Sequence, residues 1–516
     1  MDTSDAIDIG SRLELLVDDY LIDQIRGKAE LRLHHPHPQE VVLVTDKPWE
    51  GCMCGNITVF RDGHKYRMYY KAFHTDVYDE RNRGEELVET HPLWIAYAES
   101  DDGLHWQRPE LGLVEFEGSK KNNLIWQGVG PEQHGVHGFA PFKDENPDCA
   151  PDARYKAVGG IRRAIKGGLY GMKSPDGIHW SLLEEEPIIT KGRFDSQNLA
   201  FWDRVRGEYR AYVRDLRENQ VAQGDQAPAR HRRDIRTATS KDFIHWSEPV
   251  WLEYPGAPDE ELYTNQIQPY YRAPHILVGF PTRYVRRPWS PAIEALPELE
   301  HRRIRAHINE RFGAALTDGL FMSSRNGRTF KRWAEAFVRP GPQVQGNWAY
   351  GDNYQCWGML ETPSALEGAP EELSFYVTEG YWRGNSTYFR RYTLRIDGFV
   401  SMHAPLSGGE FVTRPLIFGG GSLVMNFSTS AAGSMRVEIQ NSQGRPLQGF
   451  TLDDCHEIIG DELERIVEWK KGNAPTGLAG KPTGASGAPP KAGKPIRLHF
   501  VMKDADLYSF RFREAD

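Results

Sequence analysis

Four short phrases decide the fold: AESDDGLHW (98–106), MKSPDGIHW (172–180), ATSKDFIHW (238–246) and MSSRNGRTF (322–330). Each has a serine, an Asp or Asn two positions on, and an aromatic residue four positions after that. The serines fall at 100, 174, 240 and 324, with a weaker fifth echo in RIDGFV (395–400). Asp-Gly is the dipeptide of a tight β-hairpin, because its backbone twist suits the flanking strands. A hairpin signal recurring roughly every 70 residues predicts a radial repeat of small antiparallel sheets. The chain is therefore expected to be all-β, a five-bladed β-propeller, with the closing aromatics packed between blades rather than against a ligand.

Working outward, aromatic and β-branched runs flank these phrases, as at Ile57–Phe60, Tyr66–Tyr70, Tyr155–Gly159, Glu208–Val213, His275–Phe280 and Leu373–Val377. Fifty Gly and 33 Pro punctuate them, which suits many short strands and few helices. Two stretches depart from the pattern. Pro291–Phe312 has apolar residues at helical spacing and reads as a helical insertion in the fourth blade. Gly472–Pro495, rich in Gly, Pro, Ala and Lys, reads as a loop between two strands that is dispensable for activity. After about residue 404 the phrase stops and strands such as MRVEIQ, PIRLHFVM and LYSFRFR follow. The expected division is a propeller over 1–404 and a C-terminal β-sandwich over 405–516, with Asp18 and Asp19 in an N-terminal strand that closes the ring.

Composition limits the function. The chain has 516 residues and a formal charge of -9, which repels nucleic-acid phosphate and anionic lipid, so neither partner is expected. No run approaches a membrane span and the start lacks a signal peptide's basic and apolar regions. Five cysteines with no second pair beside Cys52 and Cys54 give no zinc set. The expectation is a cytoplasmic protein with no cofactor and no metal. A homo-oligomer stays open. No phosphate-binding loop, dinucleotide glycine motif or HExxH is present.

In a propeller the innermost strands converge on one funnel, so the residues that open them are the candidates for chemistry. Carboxylates there are Glu50 (KPWEG), Asp195 (GRFDSQN), Glu261 (DEELYTNQ) and Asp352 (WAYGDNY); the second blade offers His134 and His137. Beside them stand Trp49, Gln197, Tyr263, Asn265, Trp348 and Asn353, side chains that stack on or hydrogen-bond to sugar rings. Arg283 is placed to clamp an anionic substituent. Glycoside cleavage needs a proton donor and an ionised base or nucleophile. Asp195 and Glu261 are the expected catalytic pair with Glu50 as third carboxylate. Asp195, among Ser196, Gln197 and Asn198, is expected to stay ionised, while Glu261, beside Leu262 and Tyr263, has the drier setting of a general acid. Glu260 competes with Glu261, since the two point to opposite faces of a strand.

The Ser-x-Asp-Gly-x-x-Trp phrases, the five-fold count and the C-terminal sandwich resemble the five-bladed propeller glycoside hydrolases of family 32 (invertases, inulinases, levanases) and family 43 (arabinanases, xylosidases). LELLVDDYLID, FDSQNLAFWD, YTNQIQPYYRAPHILVGFPTRYV, RRYTLRIDGFVSM and KDADLYSFRF resemble, more closely, bacterial proteins labelled family-32-like. The resemblance implies a hydrolase or transglycosylase for a furanose-containing (fructoside or arabinofuranoside) oligosaccharide. The invertase-type Trp-Met-Asn-Asp-Pro, Arg-Asp-Pro and Glu-Cys motifs are absent. Two other functions fit the same fold: a glycoside phosphorylase recruiting Arg283, Arg286 and Arg287 for phosphate, and a non-catalytic sugar-binding propeller.

Overall fold

The computed structural model describes residues 6–76, 88–161, 167–218, 231–470 and 493–514. The loop expected at Gly472–Pro495 lies almost wholly outside them. Apart from three short α-helices, regular structure among the described residues is nearly all strand. By contact the chain divides into two units, one of residues 36–270 and 274–394, the other of residues 1–35, 271–273 and 395–516.

The first unit is a series of small antiparallel sheets in chain order. The first comprises Gly55–Asp62, Lys65–Ala72, Trp94–Ser100 and Leu124–Trp126; the second His137–Lys143, Tyr155–Gly160, Tyr170–Ser174 and Ser181–Leu182. The third comprises Leu199–Asp203, Glu208–Glu218, His231–Ser240 and Val250–Trp251. The fourth, Gln268–Tyr270, Ala273–Gly279, Met322–Ser324 and Lys331–Arg332, is broken by bends. Its continuation, Glu261–Leu262, Thr282–Val285 and Leu316–Gly319, pairs separately. The fifth joins Tyr354–Gln355, Glu372–Glu379 and Tyr388–Arg395 to His37–Val44 from near the chain's start. Each sheet touches the next, and Tyr354–Gln355 returns to Gly55–Asp62. The expected helical insertion is present as Pro291–Glu294, Leu299–Ile308 and Glu310–Ala314, between the second and third chain runs of the fourth sheet.

The recurring phrase folds on itself in the same way each time. Ser100 Oγ accepts the N–H of Gly103 at 2.9 Å, and Asp102 Oδ1 accepts those of Leu104 and His105 at 2.8 and 2.9 Å. The Trp106 indole N–H closes back on Gly103 O at 3.1 Å. Ser174–Trp180 and Ser240–Trp246 repeat this arrangement. The turn needs a left-handed residue, Gly103, Gly177 and Gly327 in three phrases (φ 75°, 78° and 78°), and Phe243 adopts it too at φ 69°. Phe243 is tolerated there because its ring is fully buried against Phe142 and Tyr209. Trp106 packs on Tyr376 of the fifth sheet and Phe330 on Tyr212 of the third. Phe330 is thus a core residue, and Trp106, Trp180 and Trp246 are half-buried.

In the other unit ten strands form one hydrogen-bonded set around Ser422–Asn441 and Ile496–Arg513. These two long strands pair along nearly their whole length and shift register between Thr429 and Ser434. Their two halves enclose one apolar core that contains Phe427, Val437, Phe500 and Phe510.

Three expectations are corrected here. The division lies at 394/395 rather than 404/405, and residues 1–35 belong with the C-terminal unit. Ile7–Gly10, Glu14–Leu15, Ile22–Gly27 and Glu30–Leu33 all pair with strands there. The early strand that joins the fifth sheet is therefore His37–Val44 and not the segment carrying Asp18 and Asp19. The fifth echo is not a blade hairpin, since Val400–Ala404 pairs with Glu30–Leu33 and Ile496–Arg513 rather than with Tyr388–Arg395.

Candidate active site

A cavity of about 230 Å³ lies in the first unit and draws on all five of its sheets. Asn56 and Lys71 come from the first, His137 from the second, Asp195 and Ser196 from the approach to the third, Tyr263 from the fourth, Tyr354 and Thr378 from the fifth. Phe73, Phe312, Tyr350, Tyr381 and Trp382 add aromatic walls, and Glu89 and Arg311 complete the polar lining. The wall aromatics touch one another: Tyr263 packs on Tyr354 and Tyr350, and Phe312 on Trp382.

Two glycines permit this convergence. A Cβ at Gly138 (φ 63°) would lie 2.2 Å from Ser196 O, so only glycine lets the second inner strand approach the third and set His137 beside Asp195. A Cβ at Gly351 (φ 95°) would lie 2.0 Å from the Tyr381 ring, which occupies that space instead.

Asp195 is the hub. Its side chain is 49% exposed, with Oδ1 3.6 Å from His137 Nε2 and Oδ2 3.7 Å from Arg214 Nη2. Both distances exceed a hydrogen bond, so its oxygens face the cavity uncommitted. The neighbours expected to hold it are engaged elsewhere. Ser196 Oγ donates to Tyr263 O, Gln197 Nε2 to Asn56 O and Thr58 Oγ1, and Asn198 Nδ2 to Phe194 O and Ser196 O. The field at Asp195 comes from cations instead: Arg214 and, through space, Lys71. Burial pushes the His137 imidazole down to about 4, against the opposing pull of Asp195, so the ring is neutral at pH 7. Burial also pushes the Lys71 ammonium down to about 8, and the phenols of Tyr263, Tyr354 and Tyr381 well up.

Of the other residues singled out by sequence, Tyr263, His137 and Ser196 line the cavity and the rest do not. Glu261 is clamped by Arg233 Nη1 at 2.6 Å and by Arg286. Burial would raise its carboxyl, but the bond from Arg286 and the charge of Arg233 outweigh it and hold the group below its usual range. That is the opposite of what a general acid requires. Glu260 is likewise paired, with Arg283 and Arg332. Arg283 also grips Asp318 with two bonds of 2.9 and 2.6 Å.

Glu50 is fully buried, accepting from Tyr70 at 2.5 Å and from Arg108 at 2.9 and 3.1 Å. Trp49 donates to Asn123 Oδ1 at 2.7 Å. Gln197 links three sheets, because Gln266 Nε2 donates to its Oε1 at 2.6 Å. Asn265 serves Ile267 N and Tyr212 O, Asn353 donates to Thr317 O, and Trp348 donates to Gly341 O outside the cavity. His134 stacks on Tyr170. None of these side chains lines the cavity.

Asp352 acts from behind the wall. Its oxygens accept the backbone N–H of Tyr381 at 2.9 Å and of Ala349 at 3.2 Å, which fixes the two segments carrying Tyr381 and Tyr350. Burial raises its carboxyl from 3.8 to about 7. A carboxyl raised on folding stabilises fully below its unfolded value, and that contribution is lost as pH climbs to the folded value. Wild type should therefore lose stability relative to Asp352→Asn between about pH 4 and pH 7. Denaturation midpoints of the two proteins across that range check this; a constant difference would mean that the carboxyl is not held neutral.

Sequence reasoning missed Lys71, Glu89, Tyr350, Tyr354, Tyr381 and Trp382. Only Lys71 left a signal, as the one charge in the buried run Met68–Phe73.

No family model and no curated protein matches the chain. Among the solved structures similar to it are glycoside hydrolases. One is a fructofuranosidase variant from Schwanniomyces occidentalis complexed with fructosylnystose, at 11% identity and TM-score 0.36, covering 99% of this chain and 100% of that one. A glycosyl hydrolase from Bacteroides ovatus has 14% identity and TM-score 0.37 over 73% and 96%. An N-acetylgalactosamine deacetylase from F. plautii in complex with blood group B trisaccharide has 15% identity and TM-score 0.39 over 75% and 93%. None of these likenesses says what this chain binds or cleaves.

Proposed function

We propose that the five successive sheets form a five-bladed propeller, followed by a β-sandwich, and that the cavity is the active site of a glycosidase. One observation carries this reading: residues of all five sheets converge on one carboxylate, Asp195, whose oxygens are uncommitted and which faces a wall of seven aromatic rings. Aromatic faces with a few fixed polar groups suit sugar rings, and an uncommitted carboxylate suits attack at the anomeric carbon or on the water that attacks it. Asp195 is assigned as nucleophile or base. Glu89, the other carboxyl lining the cavity, replaces Glu261 as the proton donor. Furanose-containing oligosaccharides are the first substrates to assay. The oligosaccharide would be short, since the cavity is small.

The two donor assignments separate by mutation. Glu89→Gln should lower kcat on unactivated glycosides about 10²- to 10⁴-fold and spare aryl glycosides, whose leaving groups need no proton. Glu261→Gln should leave kcat within a few-fold of wild type while lowering the melting temperature, because Arg233 and Arg286 lose their partner. Reversal of the two outcomes in a steady-state assay would return the donor role to Glu261.

A further inference from the structure

Lys71 is the group that the mechanism above does not use. The residue is 9% exposed, and burying an ammonium costs much unless a carboxylate answers it. Elsewhere that rule is kept: Lys156 meets Asp144, Arg108 meets Glu50, and Arg233 meets Glu261. The buried Arg302 and Arg305 are answered by backbone carbonyls. Among the described residues Lys71 has no carboxylate within 4 Å and one hydrogen bond, to Tyr381 Oη at 3.2 Å. An ammonium has three donors, so two remain on a group that lines the cavity. The same cavity holds His137 Nδ1, buried and without a partner, and at its edge the exposed guanidinium of Arg311, which makes no ion pair among the described residues.

We propose that the cavity binds an oxyanion against Lys71. This rests on the cavity being the active site and adds the class of group it receives. The oxyanion has two chemical sources. It is either a carboxylate on the sugar itself, as in a uronic acid, or an inorganic phosphate that takes the place of water as acceptor. In the second case a phosphate oxygen forms the new bond to the anomeric carbon as the glycosidic oxygen departs with a proton, which conserves atoms and needs no oxidant. The arginines at 283 and 286 do not serve, since acidic partners occupy them. The groups facing Lys71 are the Tyr381 phenol, Asp195, His137 and the thiols of Cys52 and Cys54. With the ammonium set near 8, oxyanion affinity should fall as pH rises past that value.

Calorimetric titration of the whole protein at pH 7 with inorganic phosphate, with D-glucuronate and with D-glucose tests the proposal without requiring turnover. Wild type should bind phosphate or glucuronate, and Lys71→Met should weaken that binding at least ten-fold while leaving D-glucose unchanged. Binding of phosphate identifies the acceptor, and binding of glucuronate identifies the substrate's own charge. If Lys71→Met does not fold, the wild-type titration repeated at pH 7 and pH 9.5 takes its place, with at least ten-fold weaker binding expected at the higher pH. Asp195→Asn should retain oxyanion binding, so a protein that cleaves no glycan but binds the anion would defeat the glycosidase reading alone. Failure of wild type to bind either anion, or equal anion affinity with and without the Lys71 ammonium, would overturn the proposal.

Discussion

Asp195→Asn is expected to lower kcat on any accepted glycoside by about 10²- to 10⁴-fold, with KM little changed and the melting temperature at or above that of wild type. The substitution keeps the volume and removes only the charge and its basicity. Nothing in the fold depends on that charge: the side chain is half exposed, and its contacts with His137 and Arg214 exceed hydrogen-bond length. The neutral amide lacks the negative charge that a positively charged transition state feels. Steady-state kinetics beside a thermal melt check this. Wild-type turnover in a folded Asp195→Asn protein would remove the chemistry assigned to the cavity.

Glu50→Ala is expected to do the reverse, destabilising the protein by about 3–5 kcal/mol while leaving kcat per folded molecule intact. Glu50 answers Arg108, Tyr70 and the backbone N–H of Lys47 in a site closed to solvent. Its removal takes the Tyr70 hydroxyl's acceptor and leaves the Arg108 guanidinium with only Val44 O and the more distant Asp46. Burial raises the Glu50 carboxyl above its ordinary value despite Arg108 and Tyr70, a shift of the kind often taken to mark a catalytic acid. Here its cause is enclosure. Chemical denaturation together with activity corrected for the folded fraction separates the two roles. A stable, inactive Glu50→Ala protein would place Glu50 in the catalytic machinery.

What the sequence reveals follows from how local each interaction is. The Ser-x-Asp-Gly phrase is legible because its hydrogen bonds close within a few residues, from Ser100 to Gly103 and from Asp102 to His105. RIDGFV lacks the serine and the closing aromatic, and its Asp-Gly pair lies in the unit of residues 395–516. Asp195, His137 and Tyr263 are legible because they stand at the openings of inner strands. Glu261 misleads, since Leu262 and Tyr263 suggest dryness while the groups that set its charge, Arg233 and Arg286, lie far from it in sequence. Tyr381 and Trp382 are hidden because loops from the end of the fifth sheet carry them inward with no periodic signature.

The strand that ties off the sheets has a consequence for how the protein is made. His37–Val44 emerges from the ribosome well before its partner Tyr388–Arg395, which is about 350 residues further on. At bacterial or eukaryotic elongation rates the early strand waits roughly 20 to 70 s with an open edge. Ile7–Gly10, Glu14–Leu15, Ile22–Gly27 and Glu30–Leu33 wait longer still, for Leu416–Phe418, Ile496–Arg513, Gly409–Thr413 and Val400–Ala404. Nascent chains stopped before residue 388 therefore hold finished middle sheets between two unpaired ends, and aggregation during expression should track that interval.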